Sequence, residues 1–256
     1  MREPRPGSRL SAVGTTIRDE AICIRHWDWS ETSQTVSLFS CEHGVIRGIA
    51  KGAKREKAPF SGGLELLTRG EVVAIVRSNG SLATITSWDL RDAYTGVRRS
   101  LRAFYVGSYL VDLLHHAVTD ADPHPGLYHR MVEVFETLAD RTEESLLGGQ
   151  WAVLAETGYT PALPRERVEP GTAVCFLPRE GVFLAGDASR ARPDGWRVRP
   201  ETLAWLARFS DEGRVSEGDD ASVSRANRLL GSYLRYVLGD ELPTMRPVFG
   251  ESGLVS

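Results

Sequence analysis

Between Trp88 and Arg98 the hydrophobic period of this chain changes from two to between three and four, which predicts a β-rich unit followed by a helical one. Upstream, Ala21–Trp27 (AICIRHW) alternates, with Ile22 and Ile24 on one face and Cys23, Arg25 and Trp27 on the other. Thr35–Ser40 (TVSLFS) alternates again, burying Val36 and Leu38 and turning Phe39 outward or into a second layer. Cys41–Gly44 reads as a tight turn into a third strand, Val45–Ala50. Glu71–Arg77 (EVVAIVR) and Leu82–Trp88 (LATITSW) flank Ser78-Asn79-Gly80, an Asn-Gly signal for an antiparallel hairpin. Five short strands, with a longer excursion between the third and fourth, match an OB-type β-barrel; SH3-like barrels and small sandwiches share the pattern.

Downstream, Arg98–Val118 places Leu101, Phe104, Leu110, Leu113, Leu114 and Ala117 at helical spacing. Gly126–Leu138 turns Leu127, Met131, Val134, Phe135 and Leu138 inward, and Leu146–Glu156 makes a third helix. Residues 162–200 are rich in Pro and Gly, with strand-like pieces at Ala173–Leu177 and Gly181–Ala185. Glu201–Phe209 is a short helix, Asp211–Ser222 a polar, acidic loop, and Val223–Leu238 a final helix with Leu229, Leu230, Leu234 and Val237 inward. At 256 residues the chain exceeds the usual single-domain size. The expected organisation is α+β and multidomain: a flexible N-terminus over 1–16, a barrel over 17–92, and a mainly α-helical domain over 93–256 with a small β-hairpin-like insertion near 169–199.

Several classes are disfavoured at once. No apolar run approaches the roughly 18 residues of a spanning helix, so no membrane association is expected. The opening MREPRPGSRLSAVGTT lacks the apolar core of a secretory signal. Three widely spaced cysteines, Cys23, Cys41 and Cys175, suggest no disulfide framework and a reducing, cytoplasmic setting. A net charge of −3 excludes a globally basic nucleic-acid binder. The charge is unevenly spread, with only the N-terminal third carrying a positive balance, so a polyanion would meet that third first.

Within that third lies a cluster that sets the candidate site. The chain has 31 basic residues, and its only three lysines, Lys51, Lys54 and Lys57, fall in IRGIAKGAKREKAPF beside Arg47 and Arg55. Glu56 alone opposes these five cations, and Gly48 and Gly52 leave room for a polyanion to approach the backbone. Lysine acts as a mobile point charge that can follow a phosphate chain, so the cluster reads as a phosphate-backbone grip. A solvated basic loop without a ligand is the alternative. Trp27, Trp29 and Phe39 lie on or beside the strands, where they could stack on bases or, for Trp27 and Phe39, fill core. Arg25, on the same strand as Trp27, is a further candidate contact.

Other constellations carry less. Four of six histidines fall in His115–His129 near Asp112, Asp120 and Asp122, and Asp112 and His116 share a helical face. No HExxH or similar ligand spacing accompanies them, so a surface helix end is the expected reading. No P-loop or Gly-x-Ser-x-Gly elbow occurs, and Glu143-Glu144 and Asp219-Asp220 suit solvated loops.

The segment Glu20–Lys57, with its LFSCEHG strand and turn and its AKGAKREK run, resembles the bacterial DNA repair protein RecO family. Phe104–His115, Leu127–Leu138 and AVLAETGYTP at Ala152–Pro161 resemble that family's later blocks in the same order. The resemblance implies an OB barrel joined to a helical domain, no enzymatic activity and no small-molecule cofactor. It implies binding of single- and double-stranded DNA, strand annealing, and loading of recombinase with RecR onto strands coated by single-stranded DNA-binding protein. It also implies a pocket for that protein's acidic, hydrophobic tail, for which Arg98, Arg99, Arg102, Arg228 and Arg235 are the candidate cations. Many family members carry four zinc-ligating cysteines after the Gly-Tyr-x-Pro segment. Here Glu169–Arg199 holds only Cys175 and no histidine, so the insertion is expected to be zinc-less. The alternative function is a protein-interaction adaptor whose barrel is structural and does not itself bind DNA.

Overall fold

The computed structural model describes residues 14–55, 57–61, 64–77, 81–164, 168–169, 171–212, 220–250 and 254. The N-terminal residues to 13, the Ser78-Asn79-Gly80 hairpin signal, Glu56 and residues 213–219 of the acidic loop lie outside the described set. The N-terminal strands are β1 (Thr15–Asp28), β2 (Gln34–Ser40), β3 (Gly44–Ala50), the two-residue β4 (Phe60–Ser61), β5 (Arg69–Val76) and β6 (Ala83–Asp92). Antiparallel pairing runs β3-β2-β1-β5-β6, and β3 also pairs parallel with β6, Gly48 to Ala83 through Ala50 to Ile85. This last pairing closes the ring in the OB manner. Gly48 makes the closure possible, because a Cβ there would lie 2.9 Å from the Ala83 carbonyl and nearer still to Ile85. Its expected role in admitting a polyanion is therefore corrected: Gly48 is buried at the strand seam.

The alternation predicted for β1 breaks at a bulge. Cys23 pairs with Leu38, but the next pair is Arg25 with Ser37, so Ile24 is inserted. Ala21 and Cys23 consequently join Val36, Leu38, Ile46, Val72, Ile85 and Trp88 in the barrel core. Ile22 and Ile24 belong with Phe39 and Val45 to a second core, against the helices. Arg25 and Trp27 thus share the outer side of the strand with Ile22 and Ile24, not with Cys23 as the simple period predicts. Phe39 is fully buried, its ring 5.9 Å from Tyr128, which settles its place as the second layer.

A short 3-10 turn at Val97–Arg99 leads into α1 (Leu101–Ala117), followed by α2 (Pro125–Thr137) and α3 (Thr142–Glu156). α1 is capped by Ser100, whose Oγ accepts from the Ala103 amide at 3.2 Å. Its buried face runs through Ala103, Val106, Leu110, Leu113 and Leu114. Leu101, two residues before Ala103, falls on the opposite face and is 66% exposed, contrary to its expected inward position. Phe104, Ala117 and Val237 sit half-buried at the margins of the core. The insertion is a sheet with strand order β8-β7-β9, from β7 (Val174–Leu177), β8 (Val182–Ala185) and β9 (Trp196–Val198), with the single-turn α4 (Asp187–Arg190) after β8. The third strand, β9, extends the expected hairpin. α5 (Pro200–Glu212), α6 (Asp220–Leu238) and α7 (Met245–Phe249) complete the helical part, with α3 packed against α1, α2 and α6. A buried polar chain ties these helices: Tyr109 donates to Gln150 at 3.3 Å, Gln150 to Asn227 at 3.2 Å, and Asn227 to the Glu143 carbonyl at 2.9 Å.

Candidate nucleic-acid interface

The outer face of β1–β3 changes character from one end to the other. Nearest the helices, Ile22, Phe39 and Val45 are buried. One row further, Arg25, Ser37 and Arg47 face each other across the strands. Beyond them lies the row Trp27, Thr35 and Ile49, and beyond that the basic loop. Trp27 and Trp29 are 49% and 65% exposed, large apolar rings left in solvent at the end of β1. The Arg25 guanidinium lies 6.0 Å from the Trp27 ring centre, within cation–π range.

The loop after β3 is held firmly beneath and free above. Ala53 and Phe60 insert into the barrel core, while Lys51, Lys54, Arg55 and Lys57 are exposed. Two successive turns shape it, with the Arg55 amide donating to the Gly52 carbonyl and the Ala58 amide to the Arg55 carbonyl, both at 3.0 Å. Gly52 takes the left-handed φ of +71° that the first turn requires. The loop is also bonded to the β1–β2 connection: the Lys54 amide donates to the Thr32 carbonyl at 3.1 Å and the Gly52 amide to Ser33 Oγ at 3.2 Å. The exposed tryptophans and the basic loop are thereby parts of one surface.

Not all its cations are equally available. Lys54 Nζ lies 2.6 Å from Asp28, which holds the Asp28 carboxyl below its ordinary pKa. Arg47 Nε lies 2.9 Å from Asp120, in the α1–α2 linker. Arg25 is bound to Asp112, a buried carboxylate that also accepts from Thr244 Oγ1 at 2.8 Å. Arg25, a candidate contact from sequence, therefore also ties barrel to helices. Lys51, Arg55 and Lys57 form no ion pair among the described residues. His115, close to Arg25 and Arg47, is pushed down to a pKa of about 4, chiefly by burial and then by those cations, so it adds no charge at neutral pH.

The histidines do not assemble. His124 Nδ1 is 2.8 Å from Glu156, His129 lies against Cys41, and His115 and His116 meet edge to face. Among the described residues no group of three or more His, Cys, Asp or Glu side chains is placed to hold a metal ion. Cys175 is buried in β7, and the residues of the insertion do not fit a zinc site.

The five candidate arginines of the helical part are scattered in role. Arg102 is a structural tie, bidentate to Glu143 at 2.7 and 3.0 Å and donating to the Val248 carbonyl of α7. Arg98 binds Glu65 and the Leu66 carbonyl. Arg99 and Arg228 are exposed, and Arg235 lies 3.4 Å from Glu241. A slot of about 340 Å³ between α2, α3 and α5, which sequence periodicity gave no means of finding, is floored by Val134, Trp151 and Phe209. Arg130 and Arg141 stand on its rim, paired at 2.8 and 3.9 Å with Glu133 and Glu144, which line it as well. The two rings of the floor meet edge to face at 5.8 Å.

Among the described residues no helix is long and apolar enough to cross a membrane. Residues 15–94 match the family described as Recombination protein O N terminal, and residues 98–246 match Recombination protein O C terminal. A protein of Geobacter metallireducens named DNA repair protein RecO is 36% identical over 206 residues, covering 78% of this chain and 82% of that protein. One of the same name from Salinibacter ruber is 28% identical over 241 residues, covering 91% and 92%. A third, from Rhodopirellula baltica, is 33% identical over 147 residues; the match spans 57% of this chain and about half of that relative, 54%.

Proposed function

The chain belongs to the recombination protein O family of DNA repair proteins, and we propose that it is a non-enzymatic DNA binder that anneals complementary strands and assists recombinase loading. The observation that carries this reading is the anchored basic loop joined to two exposed tryptophans on one barrel surface. Lys51, Arg55 and Lys57 take phosphates, with Lys54 and Arg47 joining when their carboxylate partners are displaced. Trp27 and Trp29 offer faces for bases of a single strand. Phosphate contacts position without specifying, so binding is independent of sequence. Neutralising two strands on one surface lowers their repulsion and allows them to pair. RecR and single-stranded DNA-binding protein are the proposed protein partners, and the cytoplasm the proposed site of action. The domain division proposed is a barrel over 17–92 and a helical domain over 93–256.

The test is annealing of two complementary oligonucleotides, one labelled, followed by fluorescence transfer. The protein accelerates duplex formation without nucleotide or metal. If it binds neither strand and leaves the rate unchanged, the adaptor reading takes its place.

A second part of the proposal concerns the tail of single-stranded DNA-binding protein. An acidic, hydrophobic tail needs an apolar slot rimmed by cations; the slot under Arg130 and Arg141, where the tail would have to displace Glu133 and Glu144, is proposed beside the five arginines inferred from sequence. Changing Arg130 and Arg141 to Glu abolishes binding of a labelled tail peptide in fluorescence anisotropy. Unchanged binding in this variant moves the site elsewhere.

A further inference from the structure

The linker between α1 and α2 is built to hold one carboxylate against the barrel. The Gly44 turn admits it closely: a Cβ on Gly44 would meet the Asp122 backbone at 2.4–2.7 Å, and Gly44 itself has a φ of +67°. Asp120 forms a parallel bridge with Val45, and the Ala121 amide donates to the Val45 carbonyl at 3.5 Å. Ala121 takes a left-handed φ of +56°, a conformation a non-glycine residue adopts at a cost. These three features place the Asp120 side chain beside Arg47, where the pair spans 2.9 Å.

The two acid–arginine pairs of this face differ in kind. Asp112 has a side chain 9% exposed and a second donor in Thr244, so the carboxylate that holds Arg25 is largely shut off from water. In the other pair, Arg47 and Asp120 side chains are 47% and 52% exposed, so water reaches both. An exposed pair contributes little and exchanges readily with another anion. Arg47 also lies in the row next to Trp27, Thr35 and Ile49, between the buried seam with the helices and the basic loop.

We infer that Asp120 is a resident stand-in for a DNA phosphate, occupying Arg47 until a bound strand displaces it and recruits Arg47 to the grip. This rests on the DNA-binding reading above and extends it to the regulation of the same surface. The contact is autoinhibitory in the free protein. It limits weak, non-productive binding to short or transient polyanions and leaves Lys51, Arg55 and Lys57 as the first point of attachment.

The test is a double-mutant cycle on single-stranded DNA binding, measured by anisotropy over a range of salt. Asp120→Asn tightens binding about three- to fivefold, because the competing exposed pair is gone. The salt slope stays at the wild-type value, because the bound strand engages Arg47 in both proteins, whereas Arg47→Ala flattens it by about 0.7, the value for one phosphate contact on a single strand. In an Arg47→Ala background the same substitution changes neither quantity. Asp122→Asn, which removes an equal charge from the same linker, changes affinity less than twofold. A gain from Asp120→Asn that persists without Arg47, or an equal gain from Asp122→Asn, means a general charge effect and overturns the inference. No binding by the wild-type protein brings down the DNA-binding reading itself, and the inference with it.

Discussion

Replacing Lys51, Arg55 and Lys57 together by alanine reduces the salt slope of DNA binding by about 2 to 3 units and weakens every DNA sequence alike. These three side chains are exposed and form no ion pair among the described residues, so each can release a counterion from the DNA without first breaking a protein contact. Lys54 is the weaker choice despite its place in the cluster, since its ammonium is already held by Asp28. The fold survives the change. Ala53 and Phe60 anchor the loop in the barrel core, and the turns are made by backbone bonds. Far-ultraviolet circular dichroism should therefore be unaltered while the slope falls. An unaltered slope in a folded triple variant removes the loop from the interface.

Phe39→Ala has the opposite signature from loss of the tryptophans. Phe39 has no exposed surface and packs between the barrel and Tyr128 of α2. Its truncation leaves a cavity in the shared core and costs about 3–5 kcal/mol of stability. That is a large share of the roughly 5–15 kcal/mol that holds a folded protein together. Trp27 and Trp29 are exposed, so changing both to alanine leaves the denaturant midpoint near that of the wild type. Each stacked base lost instead weakens single-strand binding by about 1–3 kcal/mol. Equilibrium unfolding and anisotropy on the same two variants separate the roles. A Phe39→Ala protein of wild-type stability, or tryptophan variants with undiminished affinity for single strands, contradicts this division.

Much of the architecture was legible because period-two and helical patterns follow directly from backbone geometry. Strands β1, β2, β3, β5 and β6, the inward face of α2 and the exposed basic loop follow from local sequence. The bulge at Ile24 was not legible, since the letters AICIRHW continue to alternate across it. Leu101 misled because it obeys helical spacing from Phe104, whereas Ser100 starts the helix and packing sets its phase from Ala103. β9 carries only three residues, too short for a period. The candidate site shows the same limit. Cationic residues can be read from sequence, but which of them are neutralised depends on contacts between distant positions. Arg25 meets Asp112 across 87 residues and Arg102 meets Glu143 across 41. The slot under Arg130 and Arg141 likewise exists only once α2, α3 and α5 are packed together.

A cationic loop that binds DNA through its phosphates responds to salt and not to base sequence. Titration of the wild-type protein with two single strands of unrelated sequence, each at several salt concentrations, tests it most directly. Equal affinities are expected for the two strands, with a shared log–log salt slope of about −2 to −3.5, from three to five phosphate contacts on a single strand. Affinity that differs strongly between the sequences and barely responds to salt, or no binding at low salt, would contradict binding through phosphates.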